Sequence, residues 1–128
     1  MSVANLDKHF SRYIRLKWAN NQGYVACCTC GSMFFWKEIH CGHFMSRRHK
    51  STRWHEKNCL PQCVSCNTFN QGQQYKMGKE INKRFGEGTA DILLIQSRKA
   101  FRATTFEIDA LTTFYKKQIN NLPNKQLL

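Results

Sequence analysis

Few of the features that define membrane, secreted or large cofactor-binding proteins occur in this sequence. Its 128 residues include only eight acidic side chains and two prolines. No apolar run approaches the roughly 20 residues that a membrane helix requires, and residues 1–5 lack the charged and apolar regions of a signal peptide. The length excludes a doubly wound dinucleotide fold or a β/α barrel. We therefore expect one domain, residues 1–128, that stays in the compartment where it is made.

The scarcity of acidic residues leaves a strongly basic chain. Twenty Lys and Arg residues give a formal net charge of +12 at pH 7. The positive charges repel one another unless a bound anion neutralises part of them, and nucleic acid is the usual anionic partner of a basic domain. The hydrophobic content of 41% is typical of a folded protein. The composition predicts a folded nucleic-acid-binding protein with no membrane partner.

Hydrophobic periodicity predicts a mostly helical α+β fold. Helical spacing of apolar residues occurs over residues 4–20, 68–85 and 105–122. In residues 90–95 an apolar run begins with Asp91, which suits a helix N-terminus and predicts a short buried helix. We expect an N-terminal helix in residues 1–23, a metal-bound core with short strands in residues 24–85, and C-terminal helices in residues 86–128. The last helix has the clearest signals, because Thr104-Thr105-Phe106-Glu107 is a capping box and Pro123 follows its end.

The cysteines predict a structural zinc site. The sequence contains two Cys-x-x-Cys pairs, Cys27/Cys30 and Cys63/Cys66. Each pair can wrap one side of a tetrahedral Zn²⁺ at about 2.3 Å, and the odd total of seven cysteines favours metal ligation in a reducing compartment over disulfides. The alternatives are buried reduced thiols, or a first pair formed by Cys28 and Cys30. In the four-cysteine interpretation Cys28, Cys41 and Cys59 are spare thiols.

Further residues follow the order of HNH, or ββα-metal, nucleases. The motifs are Cys27-x-x-Cys30-Gly31, Cys41-Gly42-His43-Phe44, Arg53-Trp54, Asn58, Gln62-Cys63-x-x-Cys66-Asn67 and Gly72. In order and spacing they resemble the phage NinG (Rap) recombination nuclease family, from about residue 25 to residue 122. The second cysteine pair with Asn67 and Gly72 is also similar to phage endonuclease VII.

This resemblance implies a fold, an activity and a location. The fold would be a zinc-stabilised ββα-metal core, HNH-type and treble-clef-like, flanked by N-terminal and C-terminal helices. The activity would be cleavage of branched recombination intermediates, Holliday junctions and D-loops, with metal-dependent hydrolysis of a phosphodiester. The location would be the cytoplasm of a bacterial host. The implied cofactors are structural Zn²⁺ and catalytic Mg²⁺ or Mn²⁺.

The resemblance also implies roles for individual residues. His43 would take a proton from the attacking water, and Asn67, heading the following helix, would offer an oxygen to the catalytic ion. Asn58 would hold the hairpin loop through backbone hydrogen bonds. Related nucleases often carry an Asp shortly before the base, where this chain has His40, and a His–Asn pair favours Mn²⁺ or another transition ion. Taken alone, His43 is more simply a core residue and His40 a strand residue facing solvent.

A basic segment follows directly after the proposed base. Within it Arg47, Arg48, Lys50 and Arg53 are candidates for contacts with DNA phosphates, although such a run is usually a solvated face. The basic faces of the first and last helices would extend the footprint.

Partners and competing functions complete the expectations. Cutting both strands of a symmetric junction requires two active sites, so we expect a homodimer, with Phe114 and Tyr115 as a candidate contact. A phage recombinase is a further candidate partner. The competing interpretations are a non-catalytic zinc-dependent module that binds DNA or RNA, and a sequence-specific HNH nuclease of homing or restriction type.

Overall fold

The computed structural model describes residues 2–128 and has a mostly helical α+β architecture. Its α-helices are α1 (Val3–Lys17), α2 (Lys50–Arg53), α3 (Gln74–Phe85), α4 (Thr89–Ser97) and α5 (Thr105–Asn120). Its strands form two antiparallel pairs, β1 (Tyr24–Ala26) with β2 (Met33–Phe35) and β3 (His40–His43) with β4 (Cys59–Gln62). The predicted α+β class is confirmed at this level. Across residues 2–128, none of the helices is both long and apolar enough to cross a bilayer.

Helices α1 and α5 pack together around the largest part of the core. Their buried side chains include Leu6, Phe10, Ile14, Ile108 and Ile119. Tyr115 of α5 is also buried, and its hydroxyl donates a hydrogen bond of 2.7 Å to the Trp54 carbonyl. Tyr115 is therefore an internal residue and does not form the surface expected of a dimer contact, whereas its neighbour Phe114 is 46% exposed.

The segment predicted as one helix over residues 68–85 is interrupted. A π-helical turn (Ser65–Phe69) and a 3₁₀ turn (Gln71–Gln73) precede α3. Within the 3₁₀ turn Gly72 has a φ of 77°, in the left-handed region that glycine tolerates best, and Gln71 and Gln73 on either side of it also have positive φ. The backbone therefore leaves the helical conformation between the π-helical turn and α3. Asn67 consequently lies in the π-helical turn and not in the first turn of α3.

The β3–β4 pair places several side chains on one face. In its register His43 is opposite Cys59, and residues opposite each other point to the same side of a sheet. Cys41 precedes His43 by two residues and shares that face. The face is turned toward α1, where the Phe10 ring centroid lies 6.3 Å from that of His43.

Gly42 leaves room for the side chain of Gln62. A Cβ atom on Gly42 would lie 2.5 Å from Gln62 Oε1, closer than real Cβ atoms approach another atom. Gln62 is fully buried, and its amide donates to the Gly72 carbonyl at 2.7 Å and to the Thr29 hydroxyl at 3.2 Å. The strand pair thereby holds the turn that follows Asn67 close to the loop of the first cysteine pair.

Candidate active site and metal sites

The four predicted zinc ligands lie together. The Sγ atoms of Cys27, Cys30, Cys63 and Cys66 are all within 4.8 Å of one another. The backbone N–H of Cys63 donates to Cys27 Sγ at 3.3 Å, and that of Cys66 donates to Cys63 Sγ at 3.4 Å. Such donors stabilise negative charge on sulfur. Four sulfur ligands at this spacing fit a tetrahedral ion such as zinc.

Burial and hydrogen bonds shift the pKa values of these thiols in opposite directions. Burial alone would raise the pKa of Cys27, but hydrogen bonds from the Cys63 backbone and the Thr29 hydroxyl lower it to about 6. Burial raises the pKa of Cys63 to about 12. One thiolate therefore forms readily while a neighbour retains its proton. A divalent cation would displace the remaining protons and offset the repulsion between the sulfurs.

Backbone carbonyl groups orient the His43 ring. Its Nε2 lies 2.9 Å from the carbonyl oxygen of Arg53. A carbonyl only accepts hydrogen bonds, so in the neutral ring this nitrogen carries the proton and Nδ1 carries the lone pair. Burial lowers the pKa of His43 below its usual value, while the Arg53 carbonyl opposes and the Arg47 cation reinforces that effect. The ring is therefore neutral at pH 7.

A cleft of about 690 Å³ runs along β3 beside α1 and collects four of the predicted site residues, His40, His43, Arg47 and Asn67. His40 and Asn67 are in contact within it, with 3.1 Å between His40 Nδ1 and Asn67 Nδ2. His43 lines the same cleft from the other face of β3. The cleft is also lined by cations from three parts of the chain, Lys8, Arg15, Lys37 and Arg47. Its walls favour an anionic ligand.

A second cleft, of about 430 Å³, shares His43 and Gly72 with the first. Arg48 and His49 line it. His43 therefore stands where two grooves meet. Arg48 and, two residues further along the chain, Lys50 are both exposed; their predicted contact with DNA phosphates stays a prediction.

Asp7 of α1 is a residue of this site that the sequence motifs do not indicate. Its carboxylate accepts hydrogen bonds from Arg53 Nη2 at 2.6 Å, Arg47 Nη2 at 2.8 Å and Trp54 Nε1 at 2.9 Å. Burial alone would raise the pKa of Asp7, but the hydrogen bonds from Arg53 and Trp54 lower it. The Arg53 side chain is only 15% exposed and is directed at Asp7. A contact with a DNA phosphate would require it to point outward, so the structure does not place Arg53 as a phosphate ligand. Arg47 remains 59% exposed.

Asn58 is fully buried and organises the loop between β3 and β4. Its Oδ1 accepts from the Met45 N–H at 2.8 Å, and its Nδ2 donates to the carbonyls of Met45 at 3.0 Å and Thr52 at 3.1 Å. This loop contains Arg53, whose carbonyl orients His43. Asn58 thus acts on the site through the backbone of the loop.

A known protein family matches nearly the whole chain. Residues 3–125 match the family described as Bacteriophage Lambda NinG protein. The chain belongs to the NinG family. The NinG match spans both cysteine pairs, the two clefts and Asp7, and it confirms the NinG part of the resemblance. No match was found among curated proteins or among solved structures.

A second group of soft ligands lies in this NinG-family chain beside the cleft. Donor atoms of Cys41, His43 and Cys59 are within 4.8 Å of one another. Burial raises the pKa of the Cys59 thiol well above its usual value, so in the metal-free group Cys59 is a thiol. Cys41 and Cys59 are free thiols, as expected, and the strand pair places both next to His43.

Proposed function

We propose that this NinG-family chain is a metal-dependent endonuclease that cuts branched DNA intermediates in phage recombination. Family membership supports a role related to phage recombination. The observation that carries the nuclease proposal is that a neutral imidazole, His43, shares one cationic cleft with the His40–Asn67 pair. The β3–β4 pair followed by α3 has the element order of an HNH, or ββα-metal, core, and the similarity to endonuclease VII belongs to the same proposal.

His43 acts as the general base in this mechanism. Its Nδ1 takes a proton from a water molecule, and the resulting hydroxide attacks the phosphorus in line with the leaving 3′ oxygen. Because the bond between phosphorus and the 3′ oxygen breaks, the products carry a 5′-phosphate and a 3′-hydroxyl. Arg53 is a positioning residue, because its carbonyl fixes the tautomer of His43. Asn58 positions Arg53 through the loop.

His40 and Asn67 are the residues that would hold a catalytic divalent ion. Their side chains already touch and line the cleft. An imidazole nitrogen with an amide oxygen is a softer donor pair than a carboxylate with an amide, so the pair fits Mn²⁺ better than Mg²⁺. A bound ion supplies charge neutralisation at the leaving oxygen.

The basic surface supports recognition of DNA through its backbone. Arg48 lines the second cleft, and Lys50 nearby in the chain and Lys116 and Lys117 on α5 are exposed. Contacts of this kind position a duplex without reading its sequence. The preference for a branch, recognised by shape, is what the resemblance to the NinG family implies, and a phage recombinase is a proposed partner that would bring the enzyme to it.

Cleavage of defined substrates tests the proposal. Labelled four-way junction, flap and linear duplex are incubated with the zinc-loaded protein and either Mn²⁺ or Mg²⁺. We expect cuts near the branch, faster with Mn²⁺, and a loss of about 10²–10⁴-fold in the His43→Ala variant, the usual contribution of a general base. The matched control is His9→Ala, which removes a histidine of α1 that does not line either cleft.

The alternatives give different results in the same assay. Junction binding without cleavage by the wild-type protein would replace the nuclease with a zinc-dependent binding module. Cleavage of linear duplex at one sequence would indicate a homing or restriction type of enzyme. Retention of full activity in His43→Ala would refute the assigned base.

A homodimer is part of the proposal because a symmetric junction has two strands to cut. With Tyr115 buried, the exposed aromatic rings of α5 are Phe106, 82% exposed, and Phe114. Light scattering with and without junction DNA measures the mass directly. A monomeric mass under both conditions would remove the dimer from the proposal.

A further inference from the structure

Three soft donor groups converge on one face of the β3–β4 pair. His43 and Cys59 are directly opposite in the register, and Cys41 lies on the same face two residues before His43. The two Sγ atoms and one ring nitrogen all fall within 4.8 Å of one another. A single ion with bonds of about 2.0–2.3 Å to nitrogen and sulfur can bridge groups at this separation.

The chemistry of this group selects thiophilic ions. Two thiolates and an imidazole suit Zn²⁺ or Cd²⁺, whereas Mg²⁺ prefers oxygen ligands. The two thiolates also cancel the charge of a divalent ion, so the complex would be neutral. Neutrality matters because Cys59 is 0% exposed and belongs to a cluster with Phe10 and Trp54, where a net charge would be costly.

The cleft provides the route of entry. Cys41 and His43 both line it, so an ion can reach two ligands from solvent before it contacts Cys59. The cleft side would supply a fourth ligand, water or a phosphate oxygen. The group is separate from the four-cysteine site, whose buried members pack in another cluster with Val25 and Ile39.

We propose that Cys41, His43 and Cys59 bind a second thiophilic divalent ion, with zinc as the physiological candidate. The nitrogen available to this ion is Nδ1, because Nε2 donates to the Arg53 carbonyl. The same lone pair is the one that takes the proton from water. The second ion and catalysis therefore exclude each other, a consequence that rests on the proposed nuclease function. Excess zinc inhibits the enzyme at this site.

Native mass spectrometry during zinc titration measures the stoichiometry without any DNA. The titration uses a His40→Ala background, which removes a candidate ligand of the catalytic ion. In that background we expect two zinc ions per chain, and one when Cys41→Ala, Cys59→Ala or His43→Ala is added. The matched control is Cys28→Ala, which removes a half-buried cysteine outside both ligand groups and should retain two ions. Circular dichroism verifies that each variant is folded. Cys41 is only partly buried, so Cys41→Ala keeps the test valid if Cys59→Ala does not fold.

Two results would overturn the site: a single zinc ion in the His40→Ala chain at saturating zinc, or a second ion that persists when Cys41→Ala is added to it. The absorption spectrum of bound Co²⁺ provides an independent measurement, because Co²⁺ bound by two sulfurs and a nitrogen absorbs differently from Co²⁺ bound by four sulfurs. The wild-type spectrum should contain both signals, and Cys41→Ala should contain only the four-sulfur signal. A wild-type spectrum with only the four-sulfur signal would also overturn the site.

Cleavage assays separate this inference from the proposed function. If the protein cuts junctions, the zinc concentration that halves the rate should rise at least about tenfold in Cys41→Ala, since even outer-shell changes cost 10–100-fold in metal affinity. Two bound ions in a protein that cuts nothing would support the site and refute the nuclease. Cleavage by a protein that binds one zinc ion would refute the site alone.

Discussion

Removal of the Asp7 carboxylate tests whether α1 holds the active-site loop in place. In Asp7→Ala the Arg53 guanidinium loses its partner at 2.6 Å, and the Trp54 indole N–H loses its acceptor at 2.9 Å. Breaking a fully buried ion pair by removing one partner costs about 3–5 kcal/mol. The side chains of Asp7 and Arg53 are 21% and 15% exposed, which moderates that penalty. We expect the free energy of unfolding to fall by about 2–3 kcal/mol.

Urea unfolding followed by circular dichroism in zinc-containing buffer measures this loss. Glu87→Ala is the matched control, because it changes the net charge equally in an exposed turn and should cost less than about 0.5 kcal/mol. Asp7→Asn keeps one acceptor oxygen and should fall between the two. An Asp7→Ala protein as stable as the Glu87→Ala control would refute the idea that Asp7 anchors the loop.

Four further predictions concern the loop, the base, the four-cysteine zinc site and the His40–Asn67 pair. Asn58→Ala leaves the Met45 N–H and two carbonyls without their partner, so urea unfolding should show a loss of about 2–3 kcal/mol. Burial lowers the pKa of His43 from 6.5, so the cleavage rate should rise with pH through a midpoint below 6.5 and then level off; a midpoint above that value in a rate–pH profile contradicts the assignment. Chelation of zinc, or Cys63→Ser, should abolish the cooperative thermal transition and the near-ultraviolet circular dichroism, since a structural zinc contributes its binding energy to folding. His40→Asp restores a hard carboxylate ligand and should raise the ratio of Mg²⁺-supported to Mn²⁺-supported cleavage; an unchanged ratio would exclude His40 as a ligand.

Local signals in the sequence predict much of the fold. The capping box predicts the start of α5, where the Thr104 hydroxyl accepts from the Glu107 N–H at 3.2 Å. Apolar periodicity likewise predicts α1, because this helix buries one face against the rest of the chain. Helix α4 forms where the apolar run predicts it, but it is not the buried helix expected, since Ile92, Leu94 and Ile95 are exposed. These signals do not predict the break in the helix before α3. Two glutamines, Gln71 and Gln73, adopt positive φ there, which residue type alone does not indicate.

Long-range placement explains what the sequence could not predict in the site. Residues near each other in the motifs, such as His40 and His43, are readily grouped by spacing. Asp7 is far from Arg53 in the chain, and only the packing of α1 on the strand pair brings them together. The neighbourhood of Cys41 and Cys59 likewise depends on strand register, and a slip of one residue would turn one of them to the opposite face.

The docking of α1 on α5 has a consequence for the protein while it is being synthesised. Asp7 and Phe10 help to wall the cleft, yet the helix on which α1 packs, with Ile108 and Ile119, leaves the ribosome long after them. Until it does, α1 packs only on the strand pair and the Arg53 loop and lacks its most extensive partner. We therefore expect the proposed cutting site to stay incompletely packed in the nascent chain until α5 has emerged.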